Sequence, residues 1–422
     1  MTRLIYAACA ALFVSLAPGA TDRAAAAELT GSATVTLPDE LLNAWEERVE
    51  ALEQRVEALE TAQESDPDPA PPPVGGPGAT GRFVAHTDGK FYDPNGNPFI
   101  PRGVNLFPGA TSAAHQKAVA CWLINFIRMN ALLNDAGTDT MPSEAQIDAF
   151  IDTYTAMGVV VMPTWHRPGG YMDSAAQRPA MLAYFRRLAT KYRDNPYVWY
   201  GGYNEPGGVG ATGDTILVDG RWEWRPARVD KWVDMSRAII QTVRDAGATA
   251  PVSVPSMILA QDVLANDKWN YGVGIARPMP ERSASAMFGE RVRKGFDNTF
   301  VEIHLYGNYD AAERKTPLAE YFAWMQAVGW PVLVGEMGSN TQHGDKFEWA
   351  TLNRIGLRGQ FPNVGDVFWH GDHLGQNKLT VAPGTNEGIA EIDDCDNPTN
   401  LMRAGKAIWG GTHPGTYPAG TY

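Results

Sequence analysis

Trp199-Tyr200-Gly201-Gly202-Tyr203-Asn204-Glu205-Pro206 is the stretch whose reading decides the fold. Trp, Tyr and the preceding Val198 suit a buried pleated strand, and Asn-Glu-Pro cannot continue one. A carboxylate at the mouth of an apolar strand costs free energy unless it is paired or put to use. Val332-Leu333-Val334-Gly335-Glu336-Met337-Gly338 has the same form. Two carboxylates on two strand ends, remote in the chain, are what glycoside hydrolysis asks for.

Outward from these stretches, strand-like and helix-like segments alternate from Arg82 onward. An entry hairpin of Phe83-Val84-Ala85 and Phe91-Tyr92 is expected first, turned by Asp93-Pro94-Asn95-Gly96. Short apolar runs then predict strands at 99–105, 124–128, 159–165, 198–203, 251–254, 300–306, 332–336 and 364–369. Helical spacing predicts helices at 144–157, 181–192, 227–246, 318–327, 347–357 and 400–409, with Ser143 capping the first. Such alternation argues a parallel sheet with both faces covered. Eight units fit an α/β (β/α)8 TIM barrel over residues 82–422 better than an open doubly wound sheet. No Gly-rich phosphate loop follows the first strand, which weakens a dinucleotide-binding alternative.

Upstream lie three shorter segments. Residues 1–27 read as an export signal: Arg3, an apolar run from Leu4 to Ala17, then Ala24-Ala25-Ala26-Ala27. The run is too short for a comfortable membrane span. Residues 38–62 carry a heptad seam, with Leu42, Val49 and Val56 at a and Trp45, Leu52 and Leu59 at d. Arg48 and Arg55 at g face Glu53 and Glu60 at e in a parallel assembly. Val at a with Leu at d leans to a dimer. The repeated Arg-apolar-x-x-apolar-Glu unit resembles short trimeric coiled coils, and that resemblance implies a homotrimer through residues 42–59. Residues 63–81 are a Pro- then Gly-rich linker.

Of the net charge of −13, nine charges sit between Pro38 and Pro69, so the main domain is only mildly acidic. Nucleic acid and anionic polymers are poor partners for such a chain. Cys121 and Cys395 would remain after export. They could pair in an oxidising space, but Cys121 lies in the apolar stretch Val119-Ala120-Cys121-Trp122-Leu123, which favours a buried free thiol over a pair.

In a barrel of this kind functional residues sit at the C-terminal ends of strands. Those ends read Arg128, His166, Asn204 with Glu205, His304 with Tyr306, Glu336 and Trp369. One polar strand end is weak evidence; six suited to one reaction are strong. With Arg102-Gly103-Val104-Asn105 on the first strand, residues 82 to 410 resemble glycoside hydrolase family 5, the cellulase-type retaining (β/α)8 glycosidases. The resemblance implies that Glu205 is the acid/base and Glu336 the nucleophile, with no cofactor. Arg128 and Tyr306 would then hold the Glu336 carboxylate, and Asn204 would bind the sugar 2-hydroxyl. His166 and His304 would bind hydroxyls or orient neighbours, and Trp369 would stack on the sugar ring.

After the fourth strand, Thr215-Ile216-Leu217-Val218, Asp219-Gly220 and Arg221-Trp222-Glu223-Trp224 read as a hairpin. Trp222 and Trp224 share one face there and are candidate platforms for a leaving-side sugar. Trp165, Tyr203 and Trp269 are weaker ones. Neither His370-Gly371-Asp372-His373 nor Asp393-Asp394-Cys395-Asp396-Asn397 has the ligand spacing of a familiar metal site. The expectation is a secreted retaining β-glycosidase acting within a neutral β-linked polysaccharide. Endo-β-1,4-glucanase ranks first and β-mannanase second. The alternative of another class, a carbohydrate-binding scaffold without catalysis, conflicts with the intact carboxylate pair.

Overall fold

The computed structural model describes residues 76–131, 141–168, 177–207, 214–218, 221–262, 283–306, 315–338, 354–371, 388–401 and 403–413. All lie in the second of the chain's two units, Pro72–Tyr422. The export signal, the heptad segment and most of the linker fall outside the described residues.

Three two-residue strands open the fold: β1 (Val84–Ala85), β2 (Phe91–Tyr92) and β3 (Pro98–Phe99), paired antiparallel. The Asp93–Gly96 turn joins β2 to β3, not β1 to β2 as its sequence suggested, because the β1–β2 reversal is made at His86–Lys90. Pro101 then breaks the expected 99–105 strand, since proline cannot donate to a ladder. The second piece is β4 (Arg102–Leu106).

The barrel strands follow: β5 (Phe126–Asn130), β6 (Val160–Pro168) and β7 (Tyr203–Glu205). A separate hairpin, β8 (Thr215–Val218) and β9 (Arg221–Trp224), pairs antiparallel with Val218 opposite Arg221. Then come β10 (Val252–Pro255), β11 (Thr299–Leu305), β12 (Val332–Met337) and β13 (Gly365–Phe368). Eight strands are ordered β10-β11-β12-β13-β4-β5-β6-β7, every pair parallel. The two ends are drawn together by a parallel bridge between Tyr200 and Val252, which closes the (β/α)8 barrel.

Described helices cover the outside: α1 (Ala113–Cys121), α2 (Glu144–Ala156), α3 (Gln177–Tyr192), α4 (Pro226–Asp245), α5 (Ala284–Arg293), α6 (Lys315–Ala327) and α7 (Arg403–Thr412). Ser143 closes a capping box on α2 with Gln146, as the sequence suggested. Among the described residues no helix is long and apolar enough to cross a membrane.

The opening stretch spans the barrel from floor to mouth. Trp199 is fully buried and packs edge-on or tilted against Phe83, Phe91, Phe99, Phe126 and Phe300. The β1–β3 sheet thus plugs the floor, and Trp199→Ala would cost roughly 3–5 kcal/mol. Gly201 and Gly202 come next because a Cβ would run into Thr164 and Pro163 at one and into Pro255 at the other. That close approach interrupts the ladder, so only Tyr203–Glu205 forms a regular strand.

One expectation is corrected. Cys121 and Cys395 form a disulfide, with Cα atoms 5.2 Å apart. Cys121 ends α1 and is only partly buried, so its sulfur can reach the turn at Asp393–Asn397.

Candidate active site

Because all eight strands run the same way, their C-terminal ends gather at one mouth. Asn105 comes from β4, Arg128 and Asn130 from β5, His166 from β6, Asn204 and Glu205 from β7. Glu302 and His304 come from β11 and Glu336 from β12, while Tyr306 and Trp369 follow β11 and β13 directly.

Arg128 is the hub. Its Nη1 donates to Glu336 Oε1 at 2.7 Å, to Asn105 Oδ1 at 3.0 Å and to Asn130 Oδ1 at 2.9 Å. Nη2 donates to Asn204 Oδ1 at 2.5 Å, and Nε to Glu302 Oε1 at 2.6 Å. A guanidinium has five N–H donors in a fixed plane, so saturating it fixes several strands at once. The Asn204 oxygen is committed to Arg128, which turns its amide NH2 the other way.

Glu336 is almost fully buried. Tyr306 donates to its Oε2 at 2.7 Å, and His166 Nε2 lies 3.6 Å from Oε1. Burial pushes its carboxyl up, but the charges of His304 and Arg128 and the adjacent His166 outweigh that. They hold it well below the usual carboxylate range. Burial and the same carboxylate hold the Tyr306 phenol well above its ordinary value, so it stays a donor.

Glu205 faces Glu336 across the site. One oxygen of each lies within 4.8 Å of the other, with a His304 nitrogen in the same cluster. That suits the spacing of about 5–5.5 Å in retaining glycosidases, not the 6.5–9.5 Å of inverting ones. The Glu205 side chain is 17% exposed, whereas those of Arg128, Glu302, His304 and Glu336 are 0–4% exposed. Glu205, His304 and Glu336 are by type possible metal ligands. A cation there would sit against the Arg128 guanidinium, 2.7 Å from Glu336, so the donor set suits a sugar better than an ion.

His166 stacks on Trp369 with ring centres 5.1 Å apart and planes 9° from parallel. Trp369 is half-buried. Its neighbour Trp165 points the other way and packs edge-on against Tyr184 of α3, so it is not brought to the carboxylates. Tyr203 is in the core. Trp224 is half-buried and packs against the core, while the side chain of Trp222, and Trp269 and His373, lie outside the described residues. His370 is buried beside Phe107 and Trp369. The Asp393 and Asp394 carboxylates accept backbone N–H groups of their own turn.

Three residues of the cluster do not stand out as strand tips in the sequence: Asn105, Asn130 and Glu302. Two-residue alternation could have found the last two. Asn130 shares the inward face of β5 with Arg128, and Glu302 that of β11 with His304.

A model of the cellulase family, glycosyl hydrolase family 5, matches residues 92–369. The chain belongs to glycoside hydrolase family 5. It is a retaining endo-glycosidase of that family. A mannan endo-1,4-β-mannosidase from Streptomyces lividans is 24% identical over 370 residues, 83% of this chain and 85% of that one. Another, from Cellvibrio japonicus (strain Ueda107), is 23% identical over 339 residues, 78% of this chain and 69% of that one. Among solved structures, a family 5 cellulase from an Icelandic hot spring isolate aligns with TM-score 0.59 at 16% identity, covering 82% of this chain and 99% of that one. A β-mannanase from Thermomonospora fusca aligns with TM-score 0.54 at 20% identity, covering 81% and 96%. At such identities these two likenesses speak for the fold alone.

Proposed function

We propose that the enzyme hydrolyses internal β-1,4 linkages of a mannan, with Glu336 as nucleophile and Glu205 as acid/base. The observation that carries the mechanism is the facing carboxylate pair within 4.8 Å, one buried under Arg128 and Tyr306 and the other open to the cleft. Glu336, kept ionised, attacks the anomeric carbon while Glu205 gives its proton to the leaving oxygen. The glycosyl-enzyme then has no negative charge at Glu336, and Glu205, now a carboxylate, takes a proton from the attacking water. Asn204 would donate its amide to the sugar 2-hydroxyl, a contact that strengthens as the anomeric carbon gains positive charge. Trp369, its orientation set by His166, would floor the ring.

Mannan is placed ahead of the glucan first expected because two relatives matched over most of this chain carry a mannan-cleaving name. Shared strand-end residues do not separate the two sugars, which differ in the configuration of the 2-hydroxyl. Product analysis on mannan, glucan and xyloglucan, with anomers followed by NMR, tests the reading. β-Configured manno-oligosaccharides of mixed length are expected first. Inverted products would overturn the mechanism, and faster cleavage of glucan would overturn the substrate.

The heptads at 42–59 and the export-like N-terminus support two further parts of this reading, a trimeric stalk and secretion; the disulfide is in keeping with an oxidising compartment. Sedimentation of the full chain beside one lacking residues 38–62 tests the first. A monomeric full chain would refute it.

A further inference from the structure

Glu302 sits inside the apolar strand Thr299–Leu305, fully buried, and does not reach the cleft. A carboxylate in that position costs several kcal/mol unless its partners compensate. Room is made for it: a Cβ at Gly335, the residue before Glu336, would overlap the Glu302 side chain. Its oxygens accept from Arg128 Nε at 2.6 Å and from the Ser253 hydroxyl, and Oε1 also lies 3.3 Å from His304 Nε2. The other ring nitrogen of His304, Nδ1, lies 2.9 Å from Glu205 Oε1 and 3.5 Å from Glu336 Oε2.

We propose that Glu302 is a positioning residue that acts on Glu205 through His304, the three forming a relay that holds the proton destined for the leaving group. The proposal rests on the acid/base reading of Glu205. A carboxylate already accepting from a guanidinium and a hydroxyl can only accept again, so the His304 nitrogen facing it must carry hydrogen. That fixes Nε2–H, and one further proton is shared between His304 Nδ1 and Glu205 Oε1. Whether it rests on nitrogen or oxygen, the pair holds one proton for delivery.

When Glu336 forms its bond to the anomeric carbon, the glycosidic bond breaks and the leaving oxygen takes that proton. Glu205 is then a carboxylate beside a neutral His304 whose Nε2–H still points at Glu302. The attacking water returns a proton to the pair as the glycosyl–Glu336 bond breaks, and the resting state is restored. Among the described residues, the charged and titratable groups around His304 are Glu205 from β7, Glu336 from β12 and Glu302 from its own strand. Arg128 of β5 lies between Glu302 and Glu336, with Tyr306 edge-on and His166 beyond Glu336. Burial alone would lower the His304 pKa, but these three carboxylates push it up to about 9. Losing the Glu302 charge weakens the hold on the shared proton, so the alkaline limb of activity moves to lower pH.

The test is the pH profile of kcat/KM for wild type and Glu302→Gln, whose amide oxygen can still accept from Arg128 and His304. The alkaline limb is expected to move down by about one pH unit, an extra loss of about tenfold in activity above it. Aryl glycosides with a highly acidic leaving group, which need no proton, are expected to be spared. A uniform loss at every pH, with the limb unmoved, overturns the relay. Should the variant fail to fold, ring-nitrogen NMR of histidine-labelled wild type decides: Nε2 of His304 is expected to stay protonated across the pH range, and a bare Nε2 overturns the relay. Glu205→Ala separates this from its premise. If that variant loses as much on the activated aryl glycoside as on polysaccharide, Glu205 is not the acid. If it is spared there while Glu302→Gln keeps its alkaline limb, only the relay falls.

Discussion

Among the described residues, two charged clusters are buried in this barrel, one at each end of its strands. At the C-terminal end, Arg128 and His304 sit among Glu205, Glu302 and Glu336. At the N-terminal end, Asp366 of β13 sits among Arg102, Arg354 and Arg358 at 3.0, 3.1 and 2.9 Å. The first has an excess of carboxylates and the second an excess of guanidiniums. Burial and perturbed charge are common to both, so neither property marks function. The difference lies in what can move. The upper cluster holds a histidine between carboxylates, and one of those, Glu205, opens on the cleft. The lower cluster is made of guanidiniums that stay charged around a carboxylate they hold ionised. It binds β13 to β4 and to the segment at Arg354–Arg358, with Arg102 and Arg354 also donating to the Val364 carbonyl.

Substitution should therefore split activity from stability. Glu336→Gln is expected to lower kcat/KM by on the order of 10⁴-fold or more while the chain stays folded, as loss of a covalent nucleophile does elsewhere. Asp366→Asn is expected to do the reverse. It leaves three guanidiniums without their counter-charge and should cost about 3–5 kcal/mol in urea unfolding, with kcat/KM of the folded enzyme unchanged. An Asp366→Asn enzyme that unfolds like wild type, or a Glu336→Gln enzyme that works, would erase the contrast.

The disulfide sharpens the same division. Cys121 ends α1 on the outside of the barrel, and its bond to Cys395 closes a span of 274 residues. Cys121→Ser with Cys395→Ser is expected to cost about 2–4 kcal/mol, chiefly by freeing the unfolded chain. Catalysis at low temperature should not change. A matching loss of kcat would show that the disulfide shapes the mouth as well as the fold.

These two ends were unequally legible in the sequence. Six strand tips could be read because a strand buried on both faces is an apolar run, and a polar residue stands out where the run stops. Glu205, Glu336, Arg128 and His304 all announce themselves that way. Glu302 does not, because it interrupts Phe300-Val301-Glu302-Ile303 mid-run and, His304 apart, its partners come from other strands. Asp366 is hidden for the same reason in Gly365-Asp366-Val367-Phe368. Its three arginines are 264 positions upstream or 12 and 8 positions upstream, and charge alone does not say which will meet. The disulfide is not legible in the sequence because apolar neighbours describe the helix around Cys121, not the turn that carries Cys395. Glu205 and Trp165 show the limit of reading tips: both lie at a strand mouth, yet alternation sends one side chain inward and the other against α3.

Stability against pH gives the gentlest separation, at most about 1.4 kcal/mol per pH unit for each proton. His304 has its folded pKa raised to about 9 from an unfolded value of 6.5. Its contribution is complete below pH 6.5 and is lost as pH rises through about 9, so the upper cluster weakens the fold on the alkaline side. Asp366 has its folded pKa depressed below 3.8, burial opposing the shift and Arg102, Arg358 and Arg354 imposing it. That contribution is complete above pH 3.8 and is lost as pH falls through the depressed value, so the lower cluster weakens the fold on the acid side. Glu336, also depressed, joins it there. Thermal midpoints are thus expected to form a plateau near neutrality with two shoulders of separate origin. His304→Gln should flatten the decline between pH 6.5 and 9 and take from the acid shoulder only part of the share of Glu336, whose carboxyl His304 helps hold down, whereas Asp366→Asn should lower the plateau and remove its own share of the acid shoulder. If His304→Gln left the alkaline decline as steep as in wild type, the proton lost there would belong to another group, and the contrast between the two ends would rest on activity alone.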